Sequence, residues 1–386
     1  MSQESIAVIQ QNELNNMKVP FQDLHKQYLS IKGEIDSAIE RVISESSFVR
    51  GPHVDLFENN FASLLGSKYC ISCGNGTDSL FIAIKALGAK PGDEIIVPAH
   101  SWISTSEVVT LAGCKVVFAD TDSDTFNISI SDLEKKITDK TVGVIPVHLF
   151  GQAAKIEEII NIAEKNSLWV IEDTAQAHLA TRNNVKVGTI GDFGSFSFYP
   201  GKNLGAMGDA GCLITNNKNL SEKAQMIARH GGLTKGDHKI EGLNSRMDGL
   251  QAAILNIKIK RLENWTESRI RLASIYSNDL ADIEAINTPV LENNSTHVYH
   301  LYVIKVMDGN RDELQEFLME NNISTGINYP VALPFLDAYK YLNHNKNDFP
   351  NAFKNQSSIL SLPIFPEMTE DQVKFVTKKI KEFYSN

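Results

Sequence analysis

The sequence predicts an α/β protein: a large unit on a seven-stranded, mostly parallel sheet, followed by a smaller α+β C-terminal unit. Three observations carry this. Seven short apolar runs lie between residues 69 and 215, and helical stretches separate the early ones. Runs such as Val144-Ile145-Pro146-Val147 are apolar throughout, as strands buried on both faces are. A long amphipathic stretch from Met247 to about Leu280 then leads into a region of different texture.

Residues 22–48 have helical apolar spacing through Leu29, Ile31, Ile35, Ile39 and Val42. Gly51-Pro52 breaks that helix, and Val54–Leu65 forms a second with Phe57, Phe61 and Leu64 on one face. Strands are expected at 69–72, 94–98, 115–119, 142–148, 168–172, 194–199 and 211–215. Helices are expected at 78–87, 104–111, 131–137, 154–166 and 221–229. Past the connector, 298–306, 325–329 and 359–362 read as strands, and 312–321 and 369–384 as helices. A chain of 386 residues exceeds what one small core serves. The expected units are a loosely ordered lead over 1–17, a large domain over 18–260 and a small domain over 261–386.

Composition narrows the function. Hydrophobic residues make up 42% and charged residues 22%, ordinary for a soluble protein. A net charge of −10 opposes a nucleic-acid partner. No window approaches the roughly 18 apolar residues of a membrane span. The first 21 residues lack the basic and apolar regions of a secretory signal, so a cytoplasmic protein is expected. Cys70 and Cys73 form a C-x-x-C, but in a strand residues three apart face opposite sides. With four cysteines and no second pair, reduced thiols and no metal site are expected.

Ligands of open α/β sheets bind at the carboxyl ends of strands, and polar clusters fall there. Gly74-Asn75-Gly76-Thr77-Asp78 follows the first strand and reads equally as an anion cup or as a plain helix cap. Neither G-x-G-x-x-G nor a Walker lysine is present, which opposes a dinucleotide or P-loop site. Trp102 follows the second strand, where it either stacks on a flat ring or packs in the core. Asp173 ends the fifth, where burial demands a cationic partner, a cap or an ion pair. Lys202 follows the sixth, among Gly201, Gly205 and Gly208. That much close backbone packing is rare in a surface loop, and a buried lysine becomes a usable amine nucleophile.

Taken together, these residues resemble the DegT/DnrJ/EryC1/StrS family of nucleotide-sugar aminotransferases. The resemblance runs from Pro20 onward. It is carried by Asn75-Gly76-Thr77-Asp78, Pro91-Gly92-Asp93-Glu94, Gly151-Gln152 and Glu172-Asp173-Thr174-Ala175-Gln176. Ser197-Phe198-Tyr199-Pro200-Gly201-Lys202-Asn203 and Asn244-Ser245-Arg246-Met247-Asp248 complete it.

The resemblance implies an aspartate aminotransferase-like fold (PLP type I) and pyridoxal 5'-phosphate as cofactor, with pyridoxamine 5'-phosphate as its intermediate form. It implies that Lys202 links to the cofactor and moves the proton, and that Asp173 pairs with the ring nitrogen. Gln176 then lies near the ring hydroxyl and Trp102 stacks on the ring face. Gly76, Thr77 and Ser197 hold the phosphate, with Asn244 reaching in from the other subunit of a homodimer. L-Glutamate is the implied amino donor and a nucleotide-linked keto sugar the acceptor. Ala175-Gln176-Ala177-His178 and the Lys202 loop look like members acting at C3 of dTDP-3-keto-6-deoxyhexoses. A C4 aminotransferase, a UDP-3-keto-sugar aminotransferase and a non-catalytic regulatory protein are the alternatives. His178, His300 and Tyr329 are expected on the sugar side. Two departures fall there: Leu179 replaces the subgroup's usual glycine, and Asn328-Tyr329-Pro330 replaces a common His-Tyr-Pro.

Overall fold

The computed structural model describes residues 17–234 and 236–385, so the expected lead lies outside the described residues apart from Met17. Three helices come first: α1 (Leu24–Ser30), α2 (Lys32–Glu45) and α3 (Pro52–Leu65). Pro52 opens α3, where its missing N–H costs nothing, and Gly66 closes it at φ 76°. The alternating region gives β1 (Tyr69–Cys73), α4 (Gly76–Ala86), β2 (Glu94–Pro98), α5 (Ser104–Leu111) and β3 (Lys115–Ala119). It continues with α6 (Ile130–Lys136), β4 (Thr141–Val144), α7 (Ile156–Lys165) and β5 (Trp169–Asp173). A small hairpin, β6 (Thr181–Arg182) and β7 (Val185–Lys186), precedes β8 (Phe193–Ser197) and β9 (Gly211–Thr215).

The seven long strands form one sheet in the order β1-β9-β8-β5-β4-β2-β3. Only β9 runs against the others. The carboxyl ends of β1, β2, β5 and β8 therefore share one edge. Neighbouring strand residues face opposite layers, as the two-residue period requires. Ile95, Ile171 and Leu213 pack with Leu80 and Ile84 of α4, while Ile96 and Val170 pack with Ile159 of α7.

After α8 (Lys218–Ala228) come α9 (Gly249–Lys258) and α10 (Leu262–Leu280). The sequence predicts one continuous connector here; a tight turn over Ile259–Arg261 divides it. The small unit is a three-stranded antiparallel sheet, β10 (Ile286–Asn287), β11 (Tyr302–Val306) and β12 (Ile359–Leu362). It is covered by α10, α11 (Arg311–Glu320) and α13 (Glu370–Ser385), with Tyr276, Tyr302, Leu314 and Val373 in its core.

Two segments cross the expected domain boundaries. Val19 packs in the small core. Ala332, Leu333, Tyr339, Phe349 and Ala352 pack in the large one. Asp120 anchors this return by accepting the N–H groups of Asn351 and Ala352 at the start of α12 (Pro350–Ser358). The strand expected over 325–329 does not form. Gly326 makes a single bridge to Ser361, and the chain then turns into the cleft.

Candidate active site

The shared carboxyl edge opens into a cleft of about 700 Å³. Gly76, Thr77, Trp102, Asp173, Gln176, Ser197, Lys202, His300 and Tyr329 all line it. Residues spread over 250 positions meet because β1, β2, β5 and β8 end side by side, and because the small unit contributes His300 and Tyr329.

The cup at α4 comes first. The Asn75 Oδ1 accepts the Asp78 N–H at 2.8 Å, which caps the helix and leaves the N–H groups of Gly76 and Thr77 without an acceptor among the described residues. A Cβ on Gly76 would lie 2.6 Å from the Ser197 Cβ, so glycine is needed for this close approach.

Asp173 and Lys202 form the chemical pair. Asp173 is buried, and burial holds its carboxyl above the usual range despite hydrogen bonds from the Thr105 hydroxyl (2.9 Å) and the Ala175 N–H (3.2 Å). Lys202 is pushed down to about 8 by burial, with the Asp173 charge opposing. Glu172, one residue earlier, faces the other side of the sheet. It accepts the N–H groups of Gly188, Ile190 and Gly191 at 2.8 Å and bonds His148 at 3.0 Å. Strand alternation thus sends one acid of the pair to the cleft and the other to the core.

Gln176 accepts the Phe150 N–H (2.7 Å) through Oε1 and donates to the Tyr329 hydroxyl (2.9 Å) through Nε2. Its second amide hydrogen remains for a ligand. Trp102 is 57% exposed at the mouth, 5.5 Å from the Tyr329 ring. His300 is held by Asn203, whose Nδ2 donates to the Val298 carbonyl and whose Oδ1 faces the His300 Nδ1 at 3.2 Å. Burial, followed by the Lys202 charge, keeps His300 well below its ordinary value.

Two of the expected site residues do not line this cleft, Asn244 having been expected in that of the other subunit. His178 does not reach the cleft. It is fully buried beneath it, 5.5 to 6.5 Å from the rings of Phe196, Phe198 and Phe61. Sequence position placed it beside the sugar, but the turn after Gln176 folds it inward. Asn244 is exposed and lines no part of its own chain's cleft. Leu179 has φ 68°, the left-handed backbone that explains the subgroup's usual glycine there.

Sequence reasoning missed Thr105, His100 and Gln22. The Tyr329 N–H donates to the buried His100 Nε2 (3.0 Å), which ties the small unit to the end of β2. Gln22 donates to the Gly201 carbonyl at 3.0 Å. The position of His100 beside Trp102 and of Thr105 in the first turn of α5 is legible in the sequence; their partners are distant in the chain and are not.

These side chains fit pyridoxal 5'-phosphate. The cup offers free N–H groups to a phosphate, the buried Asp173 offers an anion to a protonated ring nitrogen, and Lys202 offers a low-pKa amine to an aldehyde.

Comparison with known proteins agrees. The DegT/DnrJ/EryC1/StrS aminotransferase family matches residues 29–381. A "Pleiotropic regulatory protein" of Geobacillus stearothermophilus is 42% identical over 95% of this chain and 99% of its own. The dTDP-3-amino-3,6-dideoxy-alpha-D-galactopyranose transaminase of Aneurinibacillus thermoaerophilus is 38% identical over the same shares, 95% and 99%. Among solved structures, DesV of S. venezuelae superposes with a TM-score of 0.93 at 34% identity, covering 96% of this chain and 99% of that one. NtdA of Bacillus subtilis with bound PMP superposes with a TM-score of 0.89 at 30% identity, covering 96% and 87%.

Proposed function

The chain belongs to the DegT/DnrJ/EryC1/StrS aminotransferase family, and from that premise we propose that it transfers the amino group of L-glutamate to C3 of a dTDP-3-keto-6-deoxyhexose. The general reaction, pyridoxal phosphate-dependent amination of a nucleotide-linked keto sugar, is that of the family. The observation that carries it here is Lys202, an amine lowered to about 8, in the same cleft as the buried Asp173.

The cofactor, when bound, supplies an electron sink for the carbon that loses or gains a proton. The chain does the rest. Asp173 keeps the ring nitrogen protonated, and Thr105 and Ala175 hold its carboxylate in place. Lys202 in its neutral form takes a proton from the donor's Cα in the first half-reaction, and it delivers one to the sugar carbon in the second. Glutamate leaves as its 2-keto acid, and the sugar's keto oxygen leaves as water. Trp102, Tyr329 and His300 line the cleft and are the side chains this reading assigns to the acceptor.

The Aneurinibacillus thermoaerophilus relative supports C3 by the product in its name. A homodimer with shared clefts is part of the proposal, and charge supports it. Among the described residues lining the cleft, Asp78, Asp173 and Asp209 face one cation, Lys202, while every ligand is anionic.

The regulatory name of the Geobacillus relative favours a second reading, a binding protein that keeps the fold. Such a protein has no use for a depressed lysine beside a buried aspartate. The test is a screen of dTDP- and UDP-linked 3-keto and 4-keto sugars with glutamate, read by mass spectrometry. Amino sugar from the dTDP-3-keto substrate is expected. Product only from a 4-keto sugar sinks the C3 assignment, and no turnover of any favours the binding protein.

A further inference from the structure

The chain reaches α1 by way of the cleft. Val19 pairs with the small unit: its N–H donates to the Asn322 carbonyl and its own carbonyl accepts the Ser324 N–H, both at 2.9 Å. Phe21 packs on the cluster of Val147, Phe150 and Leu301 and lines the cleft. Asp23 accepts the Lys26 N–H at 2.8 Å and caps α1. Gln22 is therefore fastened from both sides, and its half-buried side chain lines the cleft as well.

Two observations fix the direction of its amide. A carbonyl oxygen only accepts, so the atom 3.0 Å from the Gly201 carbonyl is the Nε2 donor. The Oε1 lies on the other arm, on the Cβ side of Gly201, where an added Cβ would come within 2.9 Å of it. Gly201 has no positive φ that would itself call for glycine. What the glycine supplies is room for this oxygen beside Lys202. No donor reaches Gln22 Oε1 among the described residues, so the cleft presents a fixed, unpaired acceptor next to its one lysine.

An acceptor of this kind selects for a donor. The keto oxygen, the nucleotide diphosphate and the carboxylates of glutamate offer only acceptors. The ammonium of glutamate donates, but it is the group that is transferred. The hydroxyls of the sugar remain, and those flanking the keto carbon are the ones that Lys202 brings to this place. We propose that Gln22 Oε1 accepts a hydroxyl next to the keto group of the acceptor sugar, and so selects for sugars that carry it. This rests on the keto-sugar reaction proposed above.

The test compares wild type, Q22L and Q22E, each loaded with pyridoxal phosphate, on the dTDP-3-keto sugar and on its 2-deoxy and 4-deoxy analogues. Wild type is expected to lose about tenfold in kcat/KM on one of the two analogues, because Oε1 is left without its donor. Q22L is expected to be about tenfold slower on the full sugar and to use that analogue equally well. Q22E keeps an acceptor and is expected to keep the preference. Melting temperatures stay near the wild type, since the side chain is half-buried. Bleaching by glutamate alone reads the other bond of the amide, to Gly201, and is expected to slow by about threefold at most. A Q22L enzyme that discriminates against the deoxy sugars as the wild type does overturns the inference. So does an equal loss in the sugar and glutamate reactions, which marks a role on the Lys202 turn alone. Turnover of no sugar by the wild type sinks the reaction itself, a failure separate from both.

Discussion

Lys202 and Lys258 are both lysines that burial pushes down to about 8, and only Lys202 lines the cleft. Lys258 is 4% exposed, on α9, and its Nζ donates to the Gly205 carbonyl at 2.7 Å. Lys202 opens onto the cleft opposite Asp173. A lowered pKa makes an amine available, and access to a cleft makes it chemical. The two are also coupled. A Cβ on Gly205 would lie 2.2 Å from the Pro200 carbonyl, so the turn that presents Lys202 is tight, and Lys258 props it from below.

Four variants probe that contrast. K202A is expected to lower turnover by about 10⁴-fold or more with little change in melting temperature, since it removes the proposed proton carrier. D173N comes next, at about 10²- to 10³-fold, because an amide cannot hold the charge opposite the ring nitrogen. Steady-state kinetics with glutamate and the keto sugar measures both. K258M removes the prop and leaves the Gly205 carbonyl unpaired, so about tenfold in turnover and 1–3 kcal/mol in stability are expected. If K258M matched K202A, access would not be what separates the two lysines. T105V keeps the shape and loses the hydrogen bond to Asp173, about 1 kcal/mol or roughly fivefold in rate.

The pH dependence of stability follows the same pair. In the cofactor-free protein each lysine titrates near 8 when folded and at 10.5 when unfolded. Between those values the unfolded chain binds more protons, so stability rises with pH from about 8 to 10. Denaturant melts of K258M across that range are expected to show a shallower rise, and an unchanged slope would mean that Lys258 keeps its ordinary pKa in the fold.

Much of this was legible in the sequence. The strands at 94–98, 115–119, 211–215 and 359–362 end where expected, because short apolar runs are bounded by turn residues or by charge. Lys202, Asp173 and the 74–78 cup stood out because each puts a polar group at a strand end. The misses are tertiary. Thr325–Tyr329 has strand-like composition, but only Gly326 finds a ladder partner. His178 follows Gln176 by two residues, and nothing local reveals that the turn between them points it at Phe61. Thr105 and His100 matter through Asp173 and Tyr329, 68 and 229 positions away.

The central claim is that Lys202 drives amino transfer and its buried counterpart does not. Visible absorption of the purified protein with pyridoxal phosphate tests it most directly. On adding L-glutamate without sugar, the yellow colour of the wild type and of K258M is expected to bleach, and that of K202A to persist. Bleaching of K202A at the wild-type rate would contradict the account.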